Sequence, residues 1–339
     1  MNQNKQRITL LISVTIFTLL ILDSKTAAGG VIEGMSLCIQ VIIPSLLPFF
    51  LVTTYLNSQL SGIRIPGLNS LGRCLHIPSG GESLLLLGLI GGYPVGAKMI
   101  GDAFTEGKID KNTGQILLGY CNNAGPAFIF GISGALFQKQ YIPFILWIIH
   151  IMSAVITGFL LPRPKPDVIM LDHLQPVTVS KTLHKSISVC VSICGWIIVF
   201  RIIMAYIGKY LSPYCSEYLL IIINGILELS NGCILLSELD CVCIRFILCS
   251  AFIAFGGLCV ALQTLSVSGS LKFGMYFPGK LMQTCISMML TIPVASILFP
   301  KDTLSLQITI PLLAVFVLLI VTLNRYAENK CGNLSKSRV

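Results

Sequence analysis

Long apolar blocks decide the class of this chain. Ile187 to Ile207 and Ile308 to Leu323 run with almost no charge, close to the roughly 20 residues a helix needs to cross a bilayer. Several more blocks of similar length follow one another along the sequence. Only 11% of the residues are charged while 54% are hydrophobic, against roughly 25% charged in an ordinary soluble domain. A water-soluble fold could not solvate such a surface, so the expected class is an all-α polytopic membrane protein whose first partner is the lipid bilayer.

The net charge of +9 does not indicate nucleic-acid binding. The basic residues are scattered between apolar blocks and collect in the tails and one central linker, which is topology information. The 13 cysteines show no metal-like spacing apart from Cys241 and Cys243. Most, such as Cys190, Cys194, Cys249, Cys259 and Cys285, lie inside apolar segments, where cysteine acts as a small buried apolar residue. Neither a disulfide framework nor a metal site is expected. His76, His150, His173 and His184 stand alone, and no zinc-protease, nucleotide-loop or nucleophile-elbow motif occurs. No enzyme activity and no cofactor is therefore expected.

Residues 1–30 read as a basic head, with Lys5 and Arg7, and a first helix from Ile8 to Leu22 that is retained rather than cleaved as a signal peptide. Further apolar segments are expected at 31–56, 84–101, 114–137, 141–161, 187–208, 217–236, 243–268, 281–299 and 304–324. The linker 162–186, with Arg163, Lys165, Lys181 and Lys185, and the basic tail 326–339 both read as cytoplasmic, as does the N-terminus. Each half, 31–161 with the first helix and 187–325, then holds an odd number of segments between two cytoplasmic ends. One segment in each half must fail to cross, which gives eight crossings and two re-entrant hairpins.

The segments that fail are the ones with broken centres. Segment 84–101 contains Gly91-Gly92-Tyr93-Pro94, and 217–236 contains Asn224-Gly225 and Glu228-Leu229-Ser230-Asn231-Gly232. Glycine and proline destabilise a continuous helix there. Each is followed, at similar spacing, by a second break: Cys121-Asn122-Asn123-Ala124-Gly125-Pro126 in the first half and Phe255-Gly256-Gly257 in the second. The expected architecture is two inverted repeats with interrupted helices. Matching interruptions of this kind point to a transporter's binding site, because irregular backbone survives at membrane depth only where protein buries it or a wet cavity meets it.

Glu228 is the ionisable residue in the middle of an apolar run, so it is the candidate for a coupling proton or sodium; the alternative is a solvated surface position. Gly91, Gly92, Tyr93, Pro94, Asn122, Asn123, Gly125, Ser230 and Asn231 are the candidate solute-binding residues, glycines for close backbone approach and amides for donors and acceptors. The asparagines could equally be interhelical hydrogen-bond partners. Lys98 could attract an anion or extend to the interface, and Arg201 reads as an interface-seeking side chain, with a counter-charge to Glu228 as the alternative. Half-helix starts after Pro94 and Pro126 would favour negative groups.

Three stretches, Ile43-Pro44-Ser45-Leu46-Leu47-Pro48-Phe49-Phe50, Gly91 to Lys98 and Asn122 to Gly131, together resemble the YlbJ-type sporulation integral membrane proteins. These fall within the nucleoside-recognition (Gate) superfamily, whose architecture is similar to concentrative nucleoside transporters. The resemblance implies a membrane protein of endospore formers, in the outer forespore membrane, associated with import of dipicolinic acid. Dipicolinate is a planar dianion that suits helix N-termini, a lysine and amide side chains. The expected partners are a small anionic or polar solute with a proton or sodium, and a homo-oligomer is compatible with the sequence. A nucleoside symporter and a non-transporting spore-envelope subunit are the alternatives.

Overall fold

The computed structural model describes residues 3–60, 65–75, 77, 81–163, 178–302 and 306–336. Most of the expected linker, including Lys165 and His173, lies outside the described residues, as do His76 and Arg338. The described chain is helical: α1 Gln3–Leu22, α2 Ser24–Leu37, α3 Ile43–Leu60, α4 Leu68–Cys74, α5 Glu82–Ile90, α6 Val95–Thr105, α7 Lys111–Leu118 and α8 Pro126–Leu136. It continues through α9 Ile142–Leu160, α10 Val179–Tyr210, α11 Glu217–Leu227, α12 Leu229–Leu235, α13 Val242–Phe255, α14 Gly257–Val267, α15 Tyr276–Leu298 and α16 Leu306–Lys336. A π-helical turn over Cys38–Ile42 joins α2 to α3.

Among the described residues, five stretches are long and apolar enough to cross a membrane: Ile142–Leu160, Val179–Tyr210, Val242–Val267, Tyr276–Leu298 and Thr309–Lys330. A sixth is reached if the pair Gln6–Leu22 and Ser24–Ile42, bent by 93°, counts as one span. This is fewer than the eight expected crossings. The difference arises at Pro126 and the polar residues before it, which divide 114–137 into α7 and α8, and in the 31–56 region, where the apolar helix Leu46–Leu56 is shorter than a span. Helical boundaries shift too. The α10 helix begins at Val179, well inside the expected linker, because Thr178 Oγ1 accepts from Lys181 N at 3.4 Å and caps its start. The α16 helix runs on through the expected tail to Lys336.

The side-chain distribution is that of a protein solvated by lipid. Large apolar residues such as Phe17, Ile32, Val191, Ile297 and Leu318 face outward, while Asn122, Asn123, Lys280, Gln283, Ser287 and Thr291 are fully enclosed. Since lipid chains are as apolar as leucine, close backbone packing must hold the helices together. The α2–α10 contact shows how. A β-carbon on Gly30 would stand 2.8 Å from Ile202 Cα and one on Gly34 2.9 Å from Ile198 Cα, so these two glycines let the helices touch backbone to backbone. Asp23, between α1 and α2, secures the same pair of elements by accepting from Lys209 Nζ at 2.6 Å and Tyr210 Oη at 2.8 Å.

Candidate functional site

Four breaks in the helices meet around one cavity. Between α5 and α6 the chain turns through Gly92, whose φ is +79°, and a cis Tyr93–Pro94 peptide. Between α7 and α8 it runs through Asn122, Asn123 and Gly125, and Pro126 opens α8 at a position where its missing N–H is no loss. Between α11 and α12 a single extended residue, Glu228 (φ −145°, ψ 122°), separates the helices. Between α13 and α14 the positive φ of Gly256 and Gly257, +81° and +80°, interrupts the helix within the Val242–Val267 span.

These breaks touch one another. A β-carbon on Gly125 would come within 3.0 Å of Gly92 Cα, one on Gly256 within 3.1 Å of the Tyr93 ring, and one on Gly257 within 3.2 Å of Leu229 N. Contact this close requires the missing side chains. The resulting cavity, of about 80 Å³, presents Gly91, Gly92, Tyr93, Gly125, Glu228 and Ser230, with Gln263 from α14 and an apolar wall from Ile42, Phe49 and Ile197. Residues from both halves of the sequence therefore line one space. The start of α8 also borders it through Ala127 and Phe128, directing the positive end of a helix dipole toward the cavity.

Glu228 is 4% exposed. Its Oε1 accepts from Ser230 N at 2.9 Å and its Oε2 from Asn231 N at 2.8 Å, so it caps α12. A helix start with its own carboxylate is already satisfied; the freed N–H groups there do not await a solute anion. Beyond Asn231 lies a second cavity of about 300 Å³ lined by Arg201, Asn224, Glu217 and Glu238 among others. Asn231 lines this second space, with its Oδ1 accepting from Arg201 Nη1 at 3.0 Å and its Nδ2 donating to Asn224 Oδ1 at 2.9 Å. Arg201 thus reaches Glu228 through Asn231 rather than pairing with it directly.

Other candidates stand elsewhere. Asn122 and Asn123 are wholly buried behind the cavity wall. Asn122 Oδ1 accepts from Ala97 N at 3.2 Å, filling an open donor at the start of α6, while its Nδ2 donates to Thr264 Oγ1 at 2.9 Å. Asn123 Nδ2 donates to Gly88 O and Tyr120 O at 3.1 and 2.6 Å. Both amides are cross-links between breaks in this conformation. Lys98 pairs with Asp102 one turn along α6 and borders a different cavity with Phe50, Lys185 and Ser186. Pro94 precedes the first turn of α6 and does not face the central cavity.

Sequence reasoning missed Lys280. It lies fully buried on α15, where its Nζ donates to Gln283 Oε1 at 2.8 Å and to Tyr93 Oη and Asn123 Oδ1 at 3.3 Å each. Gln283 Nε2 in turn donates to Asn123 Oδ1 at 2.9 Å. A helical stripe through Lys280, Gln283, Ser287 and Thr291 was the available signal, since polar residues at this spacing share one face. His150 was the other omission. Its Nε2 accepts from Ala124 N at 3.1 Å and anchors the break before α8.

Over 131 residues the chain is 28% identical to the sporulation integral membrane protein YlbJ of Bacillus subtilis (strain 168). The chain is a helical membrane protein. Its apolar helices and its distant similarity to an integral membrane protein agree on that location. The similarity is partial: it covers 37% of this chain and 31% of YlbJ, less than a third of that protein's length. No family model matches the chain, and no solved structure matches it.

Proposed function

We propose that this protein is a carrier for a small polar solute and is not an enzyme. The observation that carries this reading is the meeting of four broken helices, two from each half, around a cavity containing the buried carboxylate Glu228. Broken helices at corresponding positions are how carriers build a site at the bilayer midplane, and a buried ionisable group gives such a site a means of coupling to a proton or sodium. On this reading residues 31–161 and 187–325 are inverted repeats joined by a cytoplasmic linker. The pairs α5/α6 and α11/α12, followed by α7/α8 and α13/α14, are the corresponding elements.

Gly91, Gly92, Tyr93, Gly125 and Ser230 would contact the solute, with Asn122, Asn123 and Asn231 holding the breaks in place. At about 80 Å³ the cavity is smaller than the roughly 300–1,000 Å³ of drug-sized ligand sites. Loading therefore requires the helices to part, as alternating access does.

The finer reading is import of dipicolinic acid during sporulation, from the forespore's outer membrane. It is supported by similarity to a sporulation integral membrane protein and by the resemblance of the broken motifs to that family. The positive end of α8 at the cavity suits a carboxylate. A nucleoside symporter is the second reading, favoured by the resemblance of the same motifs to the nucleoside-recognition superfamily. Uptake of labelled dipicolinate and labelled uridine into proteoliposomes separates the two. Dipicolinate accumulation supports the first reading, uridine accumulation the second, and accumulation of neither removes both substrate assignments.

A further inference from the structure

Lys280 is a buried amine with no acidic partner among the described residues. Its three oxygen partners, Tyr93, Asn123 and Gln283, are all neutral. Among the described residues the ion pairs are Lys98 with Asp102, Lys108 with Glu106 and Lys209 with Asp23; none reaches Lys280. An ammonium withdrawn from water without an opposite charge is strongly disfavoured, so its presence within a spanning helix calls for a function. Glu228 is not that acidic partner: no ion pair joins it to Lys280, and its oxygens accept from Ser230 N and Asn231 N.

The position of Lys280 says where the anion would come from. Its Nζ lies 5.1 Å from the centre of the Tyr93 ring, and Tyr93 lines the central cavity. The phenol is the link between the two. Its Oη accepts from Lys280 on one side and reaches Ile253 O and Ala254 O at 3.3 and 3.5 Å on the other. Contacts of that length are weak, so a solute oxygen can replace them as the acceptor of the phenol proton.

We propose that Lys280, acting through Tyr93, is the positive charge that selects carboxylate solutes for this cavity. The solute's carboxylate supplies the counter-ion that none of the described residues provides, and Tyr93 Oη carries the contact between them. A hydrogen bond to an ionised acceptor is stronger than one to a neutral acceptor, and a low local dielectric enlarges that difference. A neutral solute of the same shape gains neither advantage. The inference rests on the carrier reading and deepens it by naming the residue pair that distinguishes a carboxylate solute from a neutral one. Lys280 is on this account a positioning and selecting residue.

The test compares pyridine-2,6-dicarboxylate with its neutral diamide as competitors for uptake into proteoliposomes bearing the full chain, with Lys280→Arg and Lys280→Gln as variants. The unsubstituted protein should prefer the dicarboxylate at least tenfold. Lys280→Arg should keep most of that preference. Lys280→Gln should lose it while unfolding in detergent at the same temperature or higher, since a buried charge has been removed. Lys280→Met provides the same comparison if the glutamine variant does not accumulate. Retention of the full preference by the glutamine or methionine variant overturns the Lys280 assignment and leaves the carrier reading standing. Inhibition and uptake by neither compound in the unsubstituted protein overturns the carrier reading for these solutes, and this assignment with it.

Discussion

Gly92 and Gly125 face each other with no side chain between them, and a β-carbon on the second would come within 3.0 Å of the α-carbon of the first. Two helix breaks distant from each other in sequence are thereby held as one wall of the central cavity. Gly92 also has φ +79°, a conformation that disfavours L-residues by about 1–2 kcal/mol.

Gly92→Val should consequently abolish uptake. The branched side chain opposes the left-handed backbone and intrudes on Gly125. Membrane abundance should remain near normal, because the change disturbs one contact at the cavity wall and leaves the spanning helices intact. Uptake rate and abundance, measured on the same preparations, check this; normal uptake would show that the Gly92–Gly125 contact is not needed for function.

Asn123→Leu should act on stability before it acts on affinity. The amide joins Gly88 O, Tyr120 O, Lys280 and Gln283, so leucine leaves several buried polar groups unmatched, each at about 1–3 kcal/mol. Thermal unfolding in detergent should drop markedly, with reduced yield. An unchanged transition combined with weakened solute binding would instead make Asn123 a direct ligand.

Glu228→Gln keeps the shape of the side chain but removes its charge. One carboxylate-type acceptor of the α12 cap is lost, and capping substitutions destabilise by about 0.5–2 kcal/mol. Folding should therefore be affected modestly. If the carboxylate carries the coupling proton, uptake should slow and its dependence on pH should flatten. Uptake measured across a pH series checks this, and an unaltered rate and profile would assign Glu228 to capping alone.

The helix breaks were legible because glycine, proline and polar residues stand out inside apolar segments. Gly91 to Pro94, Cys121 to Pro126, Glu228 and Gly256–Gly257 all interrupt helices where the sequence indicates. Which broken residues face the cavity was not legible. Ser230 and Asn231 are adjacent, yet one lines the central cavity and the other the second cavity. Asn122 and Asn123 read as solute ligands because their partners, Thr264, Lys280 and Gln283, come from distant segments. Lys280 escaped notice because it stands at the edge of its apolar segment, beside Pro278 and Gly279, where a lysine is expected to reach water. The helix instead begins at Tyr276 and takes the lysine inside.

Solute protection of a cysteine at the cavity wall tests the central claim most directly. Ser230 lines the central cavity beside Glu228, so Ser230→Cys in a cysteine-depleted background places a thiol where the solute is expected to sit. With a small thiol reagent and the variant in proteoliposomes, saturating dipicolinate should slow modification severalfold, while a cysteine introduced at the outward-facing Ile297 should react at the same rate with or without it. Equal rates at position 230 with and without solute, in a variant that still takes up dipicolinate, would place the solute elsewhere and contradict the account.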